Sequence, residues 1–103
     1  MDYTAARQNM VESQVRPNQV TDKKLLDAMR GLPREAFVPT EFLGVAYVDD
    51  PVPLGEGRYL MPPLAMARLI QEAAPAPSDL ALVVGSATGY SAAVLSHMVV
   101  AVV

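Results

Sequence analysis

Residues 80–103 read LALVVGSATGYSAAVLSHMVVAVV and contain no aspartate, glutamate, lysine or arginine. Two apolar runs, residues 80–84 and 99–103, enclose a glycine-rich turn and an alanine-rich segment. Short runs of β-branched residues are typical of strands, and small apolar residues between them suit a helix packed closely on a sheet. The stretch therefore predicts a βαβ unit, with two parallel strands joined by a right-handed crossover helix.

The same stretch is long enough to span a membrane, and this is the alternative to a βαβ unit. It is disfavoured because Gly85–Ser91 and Ser96–His97 interrupt the apolar sequence and because no lysine or arginine flanks it. Strands this apolar are usually covered on both faces. We therefore expect residues 80–103 to lie in the centre of a parallel sheet and away from the surface.

Upstream of this unit the pattern is mainly helical. Helices are predicted at residues 5–15, 22–31 and 63–74, and prolines break residues 32–54 into short pieces. Thr21 is predicted to cap the second helix. Its apolar face would comprise Leu25, Leu26 and Met29. The third helix would begin at Pro63 and bury Leu64, Ala67, Ile70 and Ala74.

Composition excludes several classes of function. The chain has 103 residues, of which 51% are hydrophobic and 18% charged, so it can form a modest core. It has no cysteine and one histidine, which argues against disulfides, zinc sites and other protein-built metal sites. A net charge of −3 argues against nucleic-acid binding. The polar N-terminus lacks a signal sequence, and we expect a cytoplasmic protein without membrane contact.

The turn Gly85–Gly89 is the first candidate for chemistry, because it follows a predicted strand and opens a predicted helix. In that position small residues let a ligand approach the backbone. The alternative is a tight turn that needs glycine for its dihedral angles and binds nothing. The dinucleotide fingerprint G-x-G-x-x-G is absent, so the motif alone decides neither interpretation.

Several segments in order carry a resemblance to one family. MVESQVR at 10–16, PREAFVP at 33–39, AYVDDPVPLG at 46–55 and residues 79–95 are similar to the N-terminal part of protein-L-isoaspartate O-methyltransferases. The resemblance implies a Rossmann-like, class I S-adenosylmethionine-dependent methyltransferase fold. In this α/β fold, residues 1–78 would form a helical cap with the substrate-loop region. Residues 79–103 would form the first βαβ unit of a truncated methyltransferase domain.

The resemblance also implies sites. S-adenosylmethionine would be the cofactor, and methyl transfer to an (iso)aspartyl carboxylate of a damaged peptide or protein would be the activity. The implied cofactor-binding residues are Gly85, Ser86, Ala87, Gly89, Tyr90 and Leu60. The implied substrate-binding residues are Glu56, Arg58 and Met61. No catalytic residue is assigned, and no metal is expected.

Two departures from the family pattern open an alternative. Met61 stands where the family has the serine of its substrate loop, and Val83 stands where it has the acid of the cofactor motif. A thioether cannot donate a hydrogen bond as a hydroxyl does. The alternative is a catalytically inactive or substrate-switched relative that acts as a binding or oligomerisation module.

The sheet itself carries a further expectation. The ribose-binding acid of Rossmann-type sites would fall near position 105, beyond Val103. Two central strands alone would expose a long apolar edge. The chain is therefore expected to be a fragment of a longer protein or to form a homo-oligomer that covers this edge.

Overall fold

The structure is a computed structural model and describes residues 2–103. Helices α1 to α4 span Tyr3–Asn9, Lys23–Gly31, Pro63–Ala73 and Tyr90–Ser96. A π-helical segment covers Met10–Val15, and 3-10 helices cover Arg16–Asn18, Arg34–Phe37 and Thr40–Val45. Strands β1 to β4 span Val52–Gly55, Arg58–Leu60, Leu80–Ala81 and Ala101–Val102. The chain is thus a mixed helix-and-strand protein with a partial sheet.

The first predicted helix is present but changes its winding. It starts at Tyr3, where the Asp2 carboxylate accepts a hydrogen bond from the backbone N–H of Ala5 at 3.0 Å. After Asn9 the helix widens into the π-helical segment, whose Met10, Val11 and Val15 are all buried. The wider turn lets these three side chains share one face of the core.

Helix α2 is confirmed, but the prediction that Thr21 caps it is wrong. Asp22 is the capping residue, and its carboxylate accepts from the N–H of Leu25 at 3.2 Å. The backbone of Thr21 lies outside the helix, where its N–H donates to the side chain of Gln71 at 2.7 Å. The backbone of Thr21 is therefore bonded to a residue of α3 that lies 50 positions along the chain, and the cap is one residue later than predicted. The predicted apolar face is buried, namely Leu25, Leu26 and Met29.

Helix α3 begins at Pro63 as predicted, but its buried face is rotated. Met66 is buried there, whereas Leu64 is only half-buried. Ala74 is exposed and takes a left-handed conformation, with φ of 49°, that ends the helix. The predicted stripe is therefore correct for Ala67 and Ile70 only.

Strands β1 and β2 form a hairpin that the proline pattern did not predict. They pair antiparallel, with Val52 opposite Leu60. Three successive residues of the connection, Gly55, Glu56 and Gly57, have φ of 96°, 54° and 75°. Glycine adopts these left-handed values without a steric penalty, so it allows the tight reversal.

Strands β3 and β4 pair in parallel on either side of α4, so the predicted βαβ connection is confirmed. The predicted burial of this stretch is wrong, since five side chains are more than 70% exposed. They are Leu80, Leu82, Val84, Val100 and Val103. Burial on both faces needs helices on both sides of the sheet and neighbouring strands at its edges. The described residues place only two strands in this sheet.

A continuous hydrophobic core joins the two regions of the chain. It includes Val15 and Met29 from the N-terminal region and Tyr90, Val94 and Met98 from the C-terminal region. Within residues 2–103, every helix is too short or too polar to cross a bilayer.

Candidate functional site

The glycine-rich turn connects β3 to α4 and is held by its own backbone. The N–H of Gly89 donates to the carbonyl of Ser86 at 2.8 Å. Gly85, Ala87 and Gly89 take left-handed φ values of 68°, 53° and 92°. For Ala87 this conformation costs about 1 kcal/mol, because its β-carbon approaches the backbone. The turn thus holds Ala87 in a backbone conformation that glycine adopts more readily.

A small cavity of about 130 Å³ lies between this turn and the hairpin. We call it the turn cavity. It brings together five residues predicted as site residues from the sequence, and it also includes Tyr59, Met66 and Ser91. The five are Leu60, Met61, Gly85, Ser86 and Ala87. Leu60 and Met61 give it apolar surface on the hairpin side, and Ser86 and Ser91 bring hydroxyl groups to the opposite side.

A second cavity of about 460 Å³ lies on the other side of Ala87, and we call it the hairpin cavity. The hairpin contributes Leu54, Gly55, Glu56 and Arg58 to its wall, and the turn contributes Ala87 and Thr88. The Glu56 and Arg58 side chains are exposed and carry opposite charges. The structure therefore places the predicted substrate residues beside the predicted cofactor turn.

Gly89 and Tyr90 line neither of these two cavities. The Tyr90 side chain is fully buried, and its ring meets that of Phe37 edge to face at a centroid distance of 5.4 Å. Burial raises the pKa of Tyr90, and the nearby Arg34 charge opposes that effect. The Tyr90 side chain thus anchors the end of the turn in the hydrophobic core.

The turn has room for a ligand of the S-adenosylmethionine type on its outer side. A β-carbon at Gly85 or Gly89 would meet no heavy atom within 4 Å, so space adjoins the backbone at both positions. The turn cavity alone is smaller than the roughly 300 Å³ of an ordinary ligand pocket. The space beside the turn is therefore an open surface that continues from a small cavity.

Arg34 is a site residue that the sequence analysis missed. Its side chain is fully buried, and it is the one buried charged side chain among residues 2–103. Its Nε donates to the carbonyl of Ala46 at 2.6 Å, and its Nη2 donates to the carbonyl of Met61 at 3.0 Å. The guanidinium carbon lies 4.7 Å from the centroid of the Tyr90 ring. Burial lowers the pKa of Arg34.

Two polar atoms in this region have no hydrogen-bond partner among the described residues. They are Nη1 of Arg34 and the hydroxyl oxygen of Tyr90, both buried. Unpaired buried donors are costly, typically about 1–3 kcal/mol each. The only sequence signal for Arg34 was its place in the PREAFVP segment at 33–39, since an arginine is ordinarily expected at the surface.

A second polar cluster, Arg7–Glu35–Tyr47, lies next to Arg34 and contacts its backbone. Arg7 donates to the Tyr47 hydroxyl at 3.0 Å and to both Glu35 oxygens at 3.3 Å. The hydroxyl donates to Glu35 and accepts from the backbone N–H of Arg34 at 3.0 Å. Burial acts to raise the pKa of Glu35, but hydrogen bonds from Tyr47, its own backbone and Arg7 outweigh it and lower that pKa.

Comparisons with known proteins agree on one family. The family model described as protein-L-isoaspartate(D-aspartate) O-methyltransferase matches residues 5–103. A protein-L-isoaspartate O-methyltransferase of Methylorubrum extorquens (strain PA1) is 46% identical over 97 residues, which cover 94% of this chain and 42% of that protein. One of Aeropyrum pernix is 40% identical over 97 residues, covering 94% and 37%. One of Roseiflexus castenholzii is 39% identical over 99 residues, covering 96% and 45%. The chain spans about two fifths of the length of these relatives.

Proposed function

Because the chain belongs to the protein-L-isoaspartate O-methyltransferase family, we propose that it supplies the N-terminal part of an S-adenosylmethionine-dependent methyltransferase. The proposed substrate is an (iso)aspartyl carboxylate of a damaged peptide or protein, and the proposed role is protein repair. The observation that carries the proposal is the turn cavity, where Leu60 and Met61 face Gly85, Ser86 and Ala87 across about 130 Å³.

The turn residues and Leu60 are proposed to hold the cofactor. Gly85, Ser86 and Ala87 would approach it with their backbone, and Leu60 would cover its apolar surface. Gly89 and Tyr90 would act by fixing the turn, because Gly89 closes it through Ser86 and Tyr90 packs beneath it. When bound, S-adenosylmethionine supplies an activated methyl group. The protein would then contribute mainly by orienting the acceptor and excluding water.

The hairpin is proposed to hold the substrate. Arg58 is exposed at the hairpin cavity and offers a guanidinium that can pair with a carboxylate. Glu56 faces the same cavity and would favour a basic or amide-bearing neighbour in the peptide. Met61 is 44% exposed beside the turn and would contact the acceptor through apolar surface.

The architecture and location follow the same proposal. A class I Rossmann-like fold would divide into the cap and substrate-loop region at 1–78 and the first βαβ unit at 79–103. We propose a cytoplasmic protein that acts on protein substrates rather than on nucleic acid or membranes.

An inactive or substrate-switched relative is the second candidate, and two observations favour it. Met61 brings no hydroxyl to the turn cavity, and Val83 brings no carboxylate to the end of β3. Leu80 of β3 is exposed, as are Leu82, Val84, Val100 and Val103 beside the two strands, and these side chains would give such a relative an apolar surface for oligomerisation. A second copy of the chain is proposed to cover this edge.

Calorimetric titration of S-adenosylmethionine, with the mass in solution measured on the same sample, tests both candidates. Micromolar binding followed by methylation of an isoaspartyl peptide would support the enzyme. Binding without methylation of that peptide would favour the second candidate. A folded sample that binds no S-adenosylmethionine would refute the cofactor assignment for this chain. A monomeric mass would refute the second copy at the sheet edge.

A further inference from the structure

The buried side chain of Arg34 donates its hydrogen bonds to backbone carbonyls and to no carboxylate of the described residues. It forms no ion pair within residues 2–103, whereas Arg7, Arg16, Lys23 and Arg30 all do. Removing a charge from water without a counter-charge is expensive in free energy. A leucine or methionine of similar length would fill the same space without that cost. The arginine therefore supplies something that packing alone does not.

What the guanidinium supplies is a rigid connection among three segments. It donates to the carbonyl of Ala46, which follows a 3-10 helix, and to the carbonyl of Met61, which follows β2. Its face lies over the ring of Tyr90, the first residue of α4 and the neighbour of Gly89. A planar fork holds its donors at a fixed separation for these contacts, whereas a lysine ammonium offers rotatable donors on a single nitrogen.

These contacts join the opposite walls of the turn cavity. Met61 belongs to the hairpin wall, and Tyr90 anchors the turn that forms the other wall. Building on the function proposed above, we propose that Arg34 is a positioning residue that sets the separation between Met61 and the glycine-rich turn. It acts through Met61 and Tyr90 and does not itself contact the reacting groups.

The test compares Arg34→Leu and Arg34→Lys with Arg7→Leu as a matched control. Arg7 is also a largely buried arginine with hydrogen bonds, but its partners are Tyr47 and Glu35. Each variant is studied at a temperature where circular dichroism shows it to be folded. Two quantities are measured: the Kd of S-adenosylmethionine, and the ¹³C shifts of the methionine methyl groups, among which Met61 and Met66 report on the cavity.

We expect Arg34→Leu to weaken binding on the order of tenfold and to move the Met61 and Met66 signals. Arg34→Lys keeps a cation near the ring but lacks the planar fork, so it should also leave Met61 displaced. Arg7→Leu should lower stability without either change. A folded Arg34→Leu protein with wild-type affinity and unmoved Met61 signal overturns the proposal, as does an equal loss of affinity in Arg7→Leu.

Failure of the proposed function is recognised separately. If the wild-type chain binds no S-adenosylmethionine, the cofactor assignment fails, while the methyl signals still decide whether Arg34 sets the position of Met61. If neither Arg34 variant folds, the wild-type protein decides. Its Arg34 Nε–H signal must then move together with the Met61 methyl signal during titration, and a stationary Nε–H signal overturns the positioning role.

Discussion

Replacing Tyr47 with phenylalanine removes one oxygen atom from the centre of the Arg7–Glu35–Tyr47 cluster. That oxygen takes part in three hydrogen bonds, with Arg7, with Glu35 and with the backbone N–H of Arg34. Arg7 and Glu35 still pair with each other at 3.3 Å, so part of their interaction survives. A lost bond to a charged group and a stranded buried N–H together cost about 3 kcal/mol.

Urea unfolding followed by circular dichroism measures this change, and a thermal scan should show a lower Tm by about 12 °C. Tyr3→Phe is the matched control, because the Tyr3 ring packs half-buried against the core and its hydroxyl makes no hydrogen bond within residues 2–103. Its free energy of unfolding should change by less than about 0.5 kcal/mol. If Tyr47→Phe unfolds within about 1 kcal/mol of Tyr3→Phe, the cluster does not stabilise the fold as argued.

Three further changes test other parts of the molecule. The folded-state pKa of Glu35 is lowered, so its contribution to the free energy of unfolding is complete above its unfolded pKa and is lost as pH falls through the folded pKa. The free energy of unfolding in urea should therefore fall less steeply between neutral and acidic pH in Glu35→Gln than in the wild type. Equal slopes of this free energy against pH would contradict the prediction. Ala87→Gly relieves a left-handed φ of 53° and should raise the free energy of unfolding by about 0.5–1 kcal/mol in the same assay, whereas a lowered value would show that the turn is unstrained. Met61→Ser should raise methylation of an isoaspartyl peptide on the order of tenfold when S-adenosylmethionine is saturating, and an unchanged rate would show that the missing hydroxyl does not limit transfer.

The helix and the strands of the βαβ unit differ in how much of their apolar surface is buried. Tyr90 and Val94 of its helix are buried, whereas Leu80 of β3 and Val100, which precedes β4, are exposed to solvent. The helix packs against the core residues of the N-terminal region, so the apolar side chains on that side of the unit are covered within the described residues. The other side is the surface that a second copy is proposed to cover.

The composition of the candidate site was largely predictable from the sequence, but its organising residue was not. The resemblance assigned Leu60 to the cofactor site and Met61 to the substrate site, and both residues line the turn cavity. Arg34 escaped notice because a charged residue is expected at the surface, and only the folded chain shows that two carbonyls and an aromatic ring enclose it. The hairpin also escaped, since its prolines resemble loop breakers until strand pairing places Pro53 opposite Tyr59.

Local chemistry determined the order of the elements. The apolar periodicity of α2 and the alternation of apolar runs and glycines in 80–103 depend on neighbours along the chain, and these elements are present where expected. Tertiary structure decided the details that involve distant partners. The N–H of Thr21 donates to Gln71, and Asp22 caps α2 instead. Leu80 is exposed because its sheet has only two strands among the described residues. Such outcomes depend on which groups meet in space, and a sequence pattern carries no record of contacts between residues far apart in the chain.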